Sequence, residues 1–188
     1  MVLGFFIIFF CMAFVIPSIR IYRKSGVNPI TFQNTESAHD LIGNYMKVLM
    51  FLIFISALSY EFFRMPSFFI NTEMNIVGWI LMIASLIFMC IAQMQMKDSW
   101  RIGIDEKNST VLRTQGIFGF TRNPIFAATI VALTGMFLIY STALNLIILI
   151  LGIVLVTIQI RLEEEFLLKI HKENYLEYKN KVKRRLFI

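Results

Sequence analysis

The chain has 188 residues, of which 57% are hydrophobic, and its mean hydropathy is +0.71. This composition excludes an ordinary soluble domain, because such domains are close to half apolar and one small core cannot bury nineteen phenylalanines. The net charge of +6 would suggest nucleic-acid binding in a soluble protein. In a membrane protein it is better explained by basic residues that flank the spans, so we expect no nucleic-acid partner.

The sequence predicts an all-α integral membrane protein in which residues 1–188 form a single membrane domain. Five apolar runs predict transmembrane helices over residues 2–19, 41–60, 76–94, 125–139 and 144–160. The last two runs are separated by only four residues, which predicts a tight helical hairpin. Among the basic residues, only Arg64 falls in a loop on the side opposite to the rest. This distribution predicts an N-terminus outside and a C-terminus at the cytoplasmic face.

After the fifth run, residues 161–188 are charged but keep apolar positions at intervals of three and four. Lysines and arginines are concentrated at the end, including Lys179, Lys181 and Lys183. The pattern predicts a C-terminal amphipathic helix at the membrane surface, with membrane lipids as its partners.

The cysteines and histidines do not indicate a metal site. Cys11 and Cys90 lie inside apolar runs, and His39 and His171 form no ligand spacing with each other or with cysteine. We therefore expect no metal.

The first candidate site is the stretch Gly-Ile-Phe-Gly-Phe-Thr-Arg-Asn-Pro over residues 116–124. Pro124 predicts the start of a helix and forces Asn123 out of helical geometry. Irregular backbone at a membrane is tolerated where it is buried in protein or lines a polar cavity. Two interpretations remain open: Arg122 belongs to a functional site, or it is a snorkelling arginine in a membrane-entry turn.

The second candidate is Arg-Leu-Glu-Glu-Glu over residues 161–165. Adjacent carboxylates at an apolar boundary are costly unless they are hydrated, paired or bound to a cation. Helical geometry predicts that Arg161, Glu164 and Glu165 share one side while Glu163 points elsewhere. The segment is a solvated helix start with an ion pair, or it binds an amino-bearing ligand with Arg161 as an anion contact. It faces residues 122–124 across the open end of the predicted hairpin.

Taken together, these motifs resemble the isoprenylcysteine carboxyl methyltransferase family and its phospholipid methyltransferase relatives. That family has a glycine-containing segment leading to Arg-His/Asn-Pro, a hydrophobic hairpin and a Glu-Glu pair. A Tyr-x-x-Tyr follows twelve residues after the first glutamate, which is the spacing from Glu163 to Tyr175. The resemblance covers about residues 95–185, and residues 98–103 look like those of bacterial members, so the expected location is a bacterial cytoplasmic membrane.

The resemblance implies S-adenosylmethionine as the methyl donor, bound by segments 97–124 and 161–188 at the cytoplasmic face. It implies catalytic roles for Arg161 and Glu163. The residues it implies for cofactor binding are Gly116, Ile117, Arg122, Asn123, Pro124, Phe126, Glu163 and Glu164.

Departures from the family pattern affect the acceptor more than the donor. Asn123 stands where eukaryotic members have histidine, Phe126 where tyrosine is common, and Lys172 where a glycine precedes the Tyr-x-x-Tyr. A lipophilic or prenylated acceptor is expected. The alternatives are a phospholipid or amine N-methyltransferase, a NADPH-dependent membrane reductase of related architecture, and a non-catalytic protein with the same fold. The sequence leaves the oligomeric state open.

Overall fold

A computed structural model describes residues 2–26, 28–29, 38–63, 65–103 and 111–184. Of these residues 82% are helical, and none of them forms a strand. The all-α fold predicted from the sequence is therefore confirmed. Of the expected donor-binding segment 97–124, residues 104–110 lie outside the described residues and residues 111–114 are coil.

Five long helices are present in the described residues: α1 (Val2–Ser25), α2 (Ala38–Phe62), α3 (Thr72–Met96), α4 (Pro124–Ile139) and α5 (Ala143–Lys181). All except α4 are long and apolar enough to cross a membrane. Helix α4 has 16 residues. At 1.5 Å per residue it is about 24 Å long, shorter than a hydrocarbon core of about 30 Å. The count of five spans therefore stays a prediction.

Helix α5 differs from the prediction, because it does not end at residue 160. It has 39 residues and continues through the charged segment, so the expected amphipathic helix is its second half. The residues after Ile160 are good helix formers, and the loss of hydrophobicity does not interrupt the backbone ladder. Only Lys172 leaves helical geometry, with φ 44° and ψ −120°. This conformation is strained for a residue with a side chain.

Helix α1 contains a π-helical turn at Cys11–Val15. Within it the carbonyl oxygen of Ala13 accepts a hydrogen bond from Nε2 of Gln93 on α3 at 2.6 Å. This bond gives the buried amide of Gln93 a partner and ties α1 to α3.

Helices α3 and α4 approach closely at Gly78 and Gly135. A Cβ atom added at either glycine would lie 2.7 Å from the carbonyl oxygen of the other. Small residues at facing positions allow helix backbones to pack in this way. The contact fixes where α4 begins relative to the end of α3, and this positions the candidate site.

Candidate functional site

The segment that leads into α4 is anchored to the end of α3. Residues Gly116–Gly119 form a 3-10 turn, and Gly116 has a φ of +64°. A Cβ atom at Gly116 would lie 2.3 Å from Oε1 of Gln95. The same oxygen accepts a hydrogen bond from the backbone N–H of Ile117 at 2.8 Å. The positive φ therefore favours glycine at position 116, and a side chain there would displace Gln95 from its hydrogen bond to Ile117.

Helix α4 begins at Pro124, which is buried, and Asn123 has the non-helical values φ −129° and ψ 58°. The predicted effect of the proline on its neighbour is confirmed. The chain therefore turns sharply at Asn123, and the side chains of Arg122 and Asn123 contact α5.

The carboxylate of Glu164 is the centre of the site, and Oε1 is the oxygen that faces α4. It accepts from Nε and Nη2 of Arg122, both at 3.0 Å, and from Nδ2 of Asn123 at 3.2 Å. The side chains of Arg122 and Glu164 are only 7% and 5% exposed. Charge-assisted hydrogen bonds in such a place are strong, and they satisfy a carboxylate that would otherwise be costly to bury.

A second arginine completes the cluster from the end of the chain. Arg184 places Nε at 2.9 Å and Nη2 at 2.8 Å from Oε2 of Glu164. This hydrogen bonding raises the pKa of the Arg184 guanidinium above its usual value. Two guanidinium groups therefore share one buried carboxylate.

The backbone of residues 182–184, which we call the C-terminal segment, binds the turn before α4. The backbone N–H of Arg122 donates to the carbonyl of Lys183 at 3.0 Å. The carbonyl of Arg184 accepts from Oγ1 of Thr121 and Nδ2 of Asn123, both at 3.1 Å. Nη1 of Arg122 donates to the carbonyls of Lys179, at 3.0 Å, and Val182. The chain end thus closes over the turn.

Two tyrosines of α5 lie behind this cluster. Tyr178 donates its hydroxyl to the carbonyl of Phe118 at 2.7 Å, and its ring lies edge-on to Tyr175 at a centroid distance of 6.0 Å. Tyr175 is 1% exposed, and its hydroxyl has no hydrogen-bond partner among the described residues. It is a buried polar atom next to the charged cluster that still has bonding capacity.

Glu163 and Arg161 are not part of the cluster. Glu163 is half-buried, and its Oε1 accepts from Nε2 of Gln159 at 3.1 Å. Arg161 and Glu165 are exposed, and Arg161 makes no ion pair with any carboxylate in the described part of the chain. Helical geometry places Arg161 and Glu164 at neighbouring positions, but only Glu164 is buried in the cluster. Three residues advance a helix by about 300°, which leaves the two side chains about 60° apart.

Of the sequence-predicted residues, the structure brings together Arg122, Asn123 and Glu164. Sequence reasoning did not identify Gln95, Thr121 or Arg184. In the sequence, Arg184 belongs to the basic residues at the end of the chain, Gln95 directly follows the third apolar run, and Thr121 lies within the first motif. Only the proximity of Thr121 to Arg122 could have indicated its contact.

A family model described as phospholipid methyltransferase matches residues 73–174, which is more than half of the chain. The chain belongs to the phospholipid methyltransferase family. The methyltransferase class expected from the motifs is therefore confirmed, and this family together with the apolar helices makes the protein a membrane methyltransferase. No curated protein matches the chain significantly, and no solved structure does.

The residues matched to the phospholipid methyltransferase family contain α3 from its second residue, the turn before α4, α4, and α5 as far as residue 174, with Glu163 and Glu164. They end one residue before Tyr175, so the C-terminal segment and Arg184 lie beyond them. The structure thus joins a family-matched pair, Arg122 and Glu164, to a chain end that the family model does not cover.

Proposed function

We propose that the protein transfers the methyl group of S-adenosylmethionine to a lipophilic acceptor at the membrane surface. The observation that carries the proposal is the meeting of Arg122 and Asn123 with Glu164 inside the family-matched residues. Charged and polar groups gathered in an apolar helical protein mark a functional site in preference to a structural one.

The polar groups around this site fit a donor that carries a carboxylate, an ammonium and a sulfonium. Glu164 already accepts three hydrogen bonds and makes close ion-pair contacts with both arginines, and a carboxylate has only about four lone-pair positions. Glu163 has one partner, Gln159, and is partly accessible. Glu163 is therefore the carboxylate with capacity for a cationic ligand, and Glu164 holds Arg122 and Asn123 in place.

In this proposal a set of residues forms the wall of the donor pocket around Glu163. Its members are Gly116, Ile117, Arg122, Asn123, Pro124, Phe126 and Glu164. Those before α4 are fixed by the hydrogen bonds to Gln95 and to the C-terminal segment. A rigid wall contributes to methyl transfer by holding donor and acceptor in line.

Bound S-adenosylmethionine supplies an electrophilic methyl group on its sulfonium. The chain contributes two catalytic side chains: Glu163, which offsets positive charge and accepts the proton that an amine acceptor releases, and Arg161. Arg161 is exposed one turn before Glu164. From there its guanidinium binds the anionic group of an acceptor, a carboxylate or a phosphate.

Two acceptor classes follow from the proposal. The motif arrangement favours a prenylated cysteine, as in isoprenylcysteine carboxyl methyltransferases. The family match favours the amine headgroup of a phospholipid as the second candidate. No finding favours the reductase alternative.

The proposed site lies at the cytoplasmic face, with the N-terminus outside, in a bacterial cytoplasmic membrane. The distribution of lysine and arginine supports this orientation. Cysteine labelling tests it in a variant without Cys11 and Cys90. A reagent that cannot cross the membrane should modify a cysteine at position 67 and miss one at position 180. The reverse pattern contradicts the orientation.

The decisive experiment is transfer of a labelled methyl group to phosphatidylethanolamine and to a prenylcysteine analogue. Glu163→Gln should reduce transfer at least tenfold, while Glu165→Gln, an exposed neighbour on the same helix, should not. Absence of transfer to either acceptor, together with no binding of S-adenosylhomocysteine, overturns the proposed function.

A further inference from the structure

The two arginines on Glu164 differ in the number of N–H groups they still have available. Arg122 uses Nε and Nη2 on Glu164 and donates from Nη1 to two backbone carbonyls. A guanidinium has five N–H groups, so at most one remains. Its side chain is also only 7% exposed. Arg122 is therefore committed to the protein and is poorly placed to receive a ligand.

Arg184 contacts the same carboxylate with one edge only. Its Nε and Nη2 meet Oε2 of Glu164, and Nη1 makes no hydrogen bond to any described residue. The side chain is 39% exposed, compared with 5% for Glu164. Arg184 thus presents a cation with unused donors on the accessible side of the cluster, and Glu164 fixes its orientation.

We propose that Arg184 binds the carboxylate of the methyl donor. The inference rests on the proposed function and deepens it by naming the donor's anion contact. Two N–H groups on Nη1 are enough for a charge-assisted contact to one carboxylate oxygen.

Changing the Arg184 side chain removes the contact of the C-terminal segment with Glu164 but leaves the backbone contacts of this segment available. The contacts of this segment with Thr121 and Asn123 use the backbone carbonyl of Arg184, and the contact with Arg122 uses the carbonyl of Lys183. A substitution at position 184 keeps all three. The guanidinium can therefore be tested separately from the fold.

The test compares two ligands by calorimetry: S-adenosylhomocysteine, which has the carboxylate, and 5′-methylthioadenosine, which lacks the amino-acid moiety. Arg184→Gln should weaken the binding of S-adenosylhomocysteine roughly tenfold to a hundredfold, which is the usual effect of losing a hydrogen bond to a charged group. The affinity of the same variant for methylthioadenosine should stay within twofold of that of the parent protein. Arg184→Lys should recover part of the affinity for S-adenosylhomocysteine, since a point charge remains.

Lys181→Gln is the matched control, because it removes a nearby cation whose ion pair with Glu177 is exposed and 3.7 Å long. It should change neither affinity. If Arg184→Gln weakens the binding of both ligands equally, or leaves the affinity for S-adenosylhomocysteine unchanged, the role of Arg184 is wrong while the proposed function still stands. A parent protein that binds neither ligand overturns the proposed function and this inference with it.

Discussion

The α4–α5 hairpin has a polar cluster at each end, and the two clusters are built from different chemistry. The turn end, residues 139–145, contains neutral side chains and backbone groups. The open end, residues 121–124, 164 and 184, contains two guanidinium groups and a carboxylate, with the backbone of the C-terminal segment folded over the turn. Both ends are largely buried, so burial alone does not distinguish a structural cluster from a functional one.

The groups at the turn end pair with one another. Asn145 donates from Nδ2 to the carbonyl of Tyr140 at 2.6 Å and accepts from Oγ of Ser56 at 2.6 Å. Ser141 both donates to the carbonyl of Phe69 at 2.7 Å and accepts from its N–H at 3.2 Å. Such a network stabilises one arrangement of α2, the loop before α3 and the hairpin.

The open end keeps unused polar groups and backbone strain. Within the described part of the chain, Nη1 of Arg184 and the hydroxyl of Tyr175 have no hydrogen-bond partner, and Glu163 has a single one. Among the described residues, the two non-glycine residues with positive φ, Lys97 and Lys172, both lie toward this end. Strain and unused bonding capacity are retained where a ligand is to be received. We therefore expect the turn end to contribute stability alone, and the open end to contribute stability through Glu164 and ligand binding through its unused polar groups.

The largest effect is expected from Glu164→Gln, because it removes the only anion from a buried cluster of two arginines. Loss of one partner from a buried ion pair costs about 3–5 kcal/mol. The free energy of unfolding in mixed micelles should fall by that amount. Glu165→Gln, on the exposed side of α5, should change it by less than about 0.5 kcal/mol. Equal small effects in both variants would mean that the cluster is hydrated and does not hold the hairpin.

The next largest effect is expected from Gly135→Ala, which should lower the free energy of unfolding by about 3 kcal/mol. This is the upper part of the usual range for overpacking a core. The new Cβ would meet the carbonyl of Gly78 at 2.7 Å and Cγ of Met82 at 2.9 Å. The backbone carbonyl cannot rotate away. Gly4→Ala is the control, since nothing lies within 4 Å of its Cβ. It should leave the unfolding free energy unchanged or raise it slightly.

At the turn end, Asn145→Ala should lower the free energy of unfolding by about 2 kcal/mol, because the hydroxyl of Ser56 and the carbonyl of Tyr140 lose their shared partner. The affinity for S-adenosylhomocysteine should stay within twofold. Glu163→Gln should give the opposite result, with a large loss of affinity and little loss of stability. If Asn145→Ala weakens donor binding as much as Glu163→Gln does, the division between the two ends is incorrect.

The sequence predicted those parts of this comparison that depend on local rules. Pro124 starts α4 because its ring and missing donor act on its immediate neighbours. A short connection forces α4 and α5 to be antiparallel, and this was sufficient to predict that Arg122 would lie near the glutamates. The contact of Arg122 with Glu164 follows from that topology.

Long-range pairing was not predictable from the sequence. The separation of Glu163 from Glu164 depends on which face of α5 packs against the turn, and adjacent carboxylates look alike in the sequence. Arg184 reaches Glu164 only because the chain leaves α5 after Lys181 and folds back. A cluster of basic residues near the end of the chain is typical of lipid binding, so its sequence signal pointed elsewhere.

The smallest expected effect is at Lys172, where the strain of the open end can be measured directly. Its φ of 44° turns the end of α5 and so directs Tyr175, Tyr178 and the C-terminal segment toward Arg122. A residue with a side chain held there costs about 1–3 kcal/mol. Lys172→Gly removes most of that cost but increases the entropy of the unfolded chain by about 0.5–1 kcal/mol. The net expectation is a gain of about 1 kcal/mol in the free energy of unfolding. The affinity for S-adenosylhomocysteine should be unchanged, because glycine adopts the same backbone angles.

Lys169→Gly is the matched control for this substitution. Lys169 is also an exposed lysine on α5, one turn earlier and in regular helical geometry. There the same replacement should destabilise the protein by about 1 kcal/mol. If the lysine-to-glycine substitution raises the free energy of unfolding at position 172 and lowers it at position 169, the strain lies at residue 172. If both variants lose stability, the bend at Lys172 is an unstrained feature of α5, and strain no longer distinguishes the open end from the turn end.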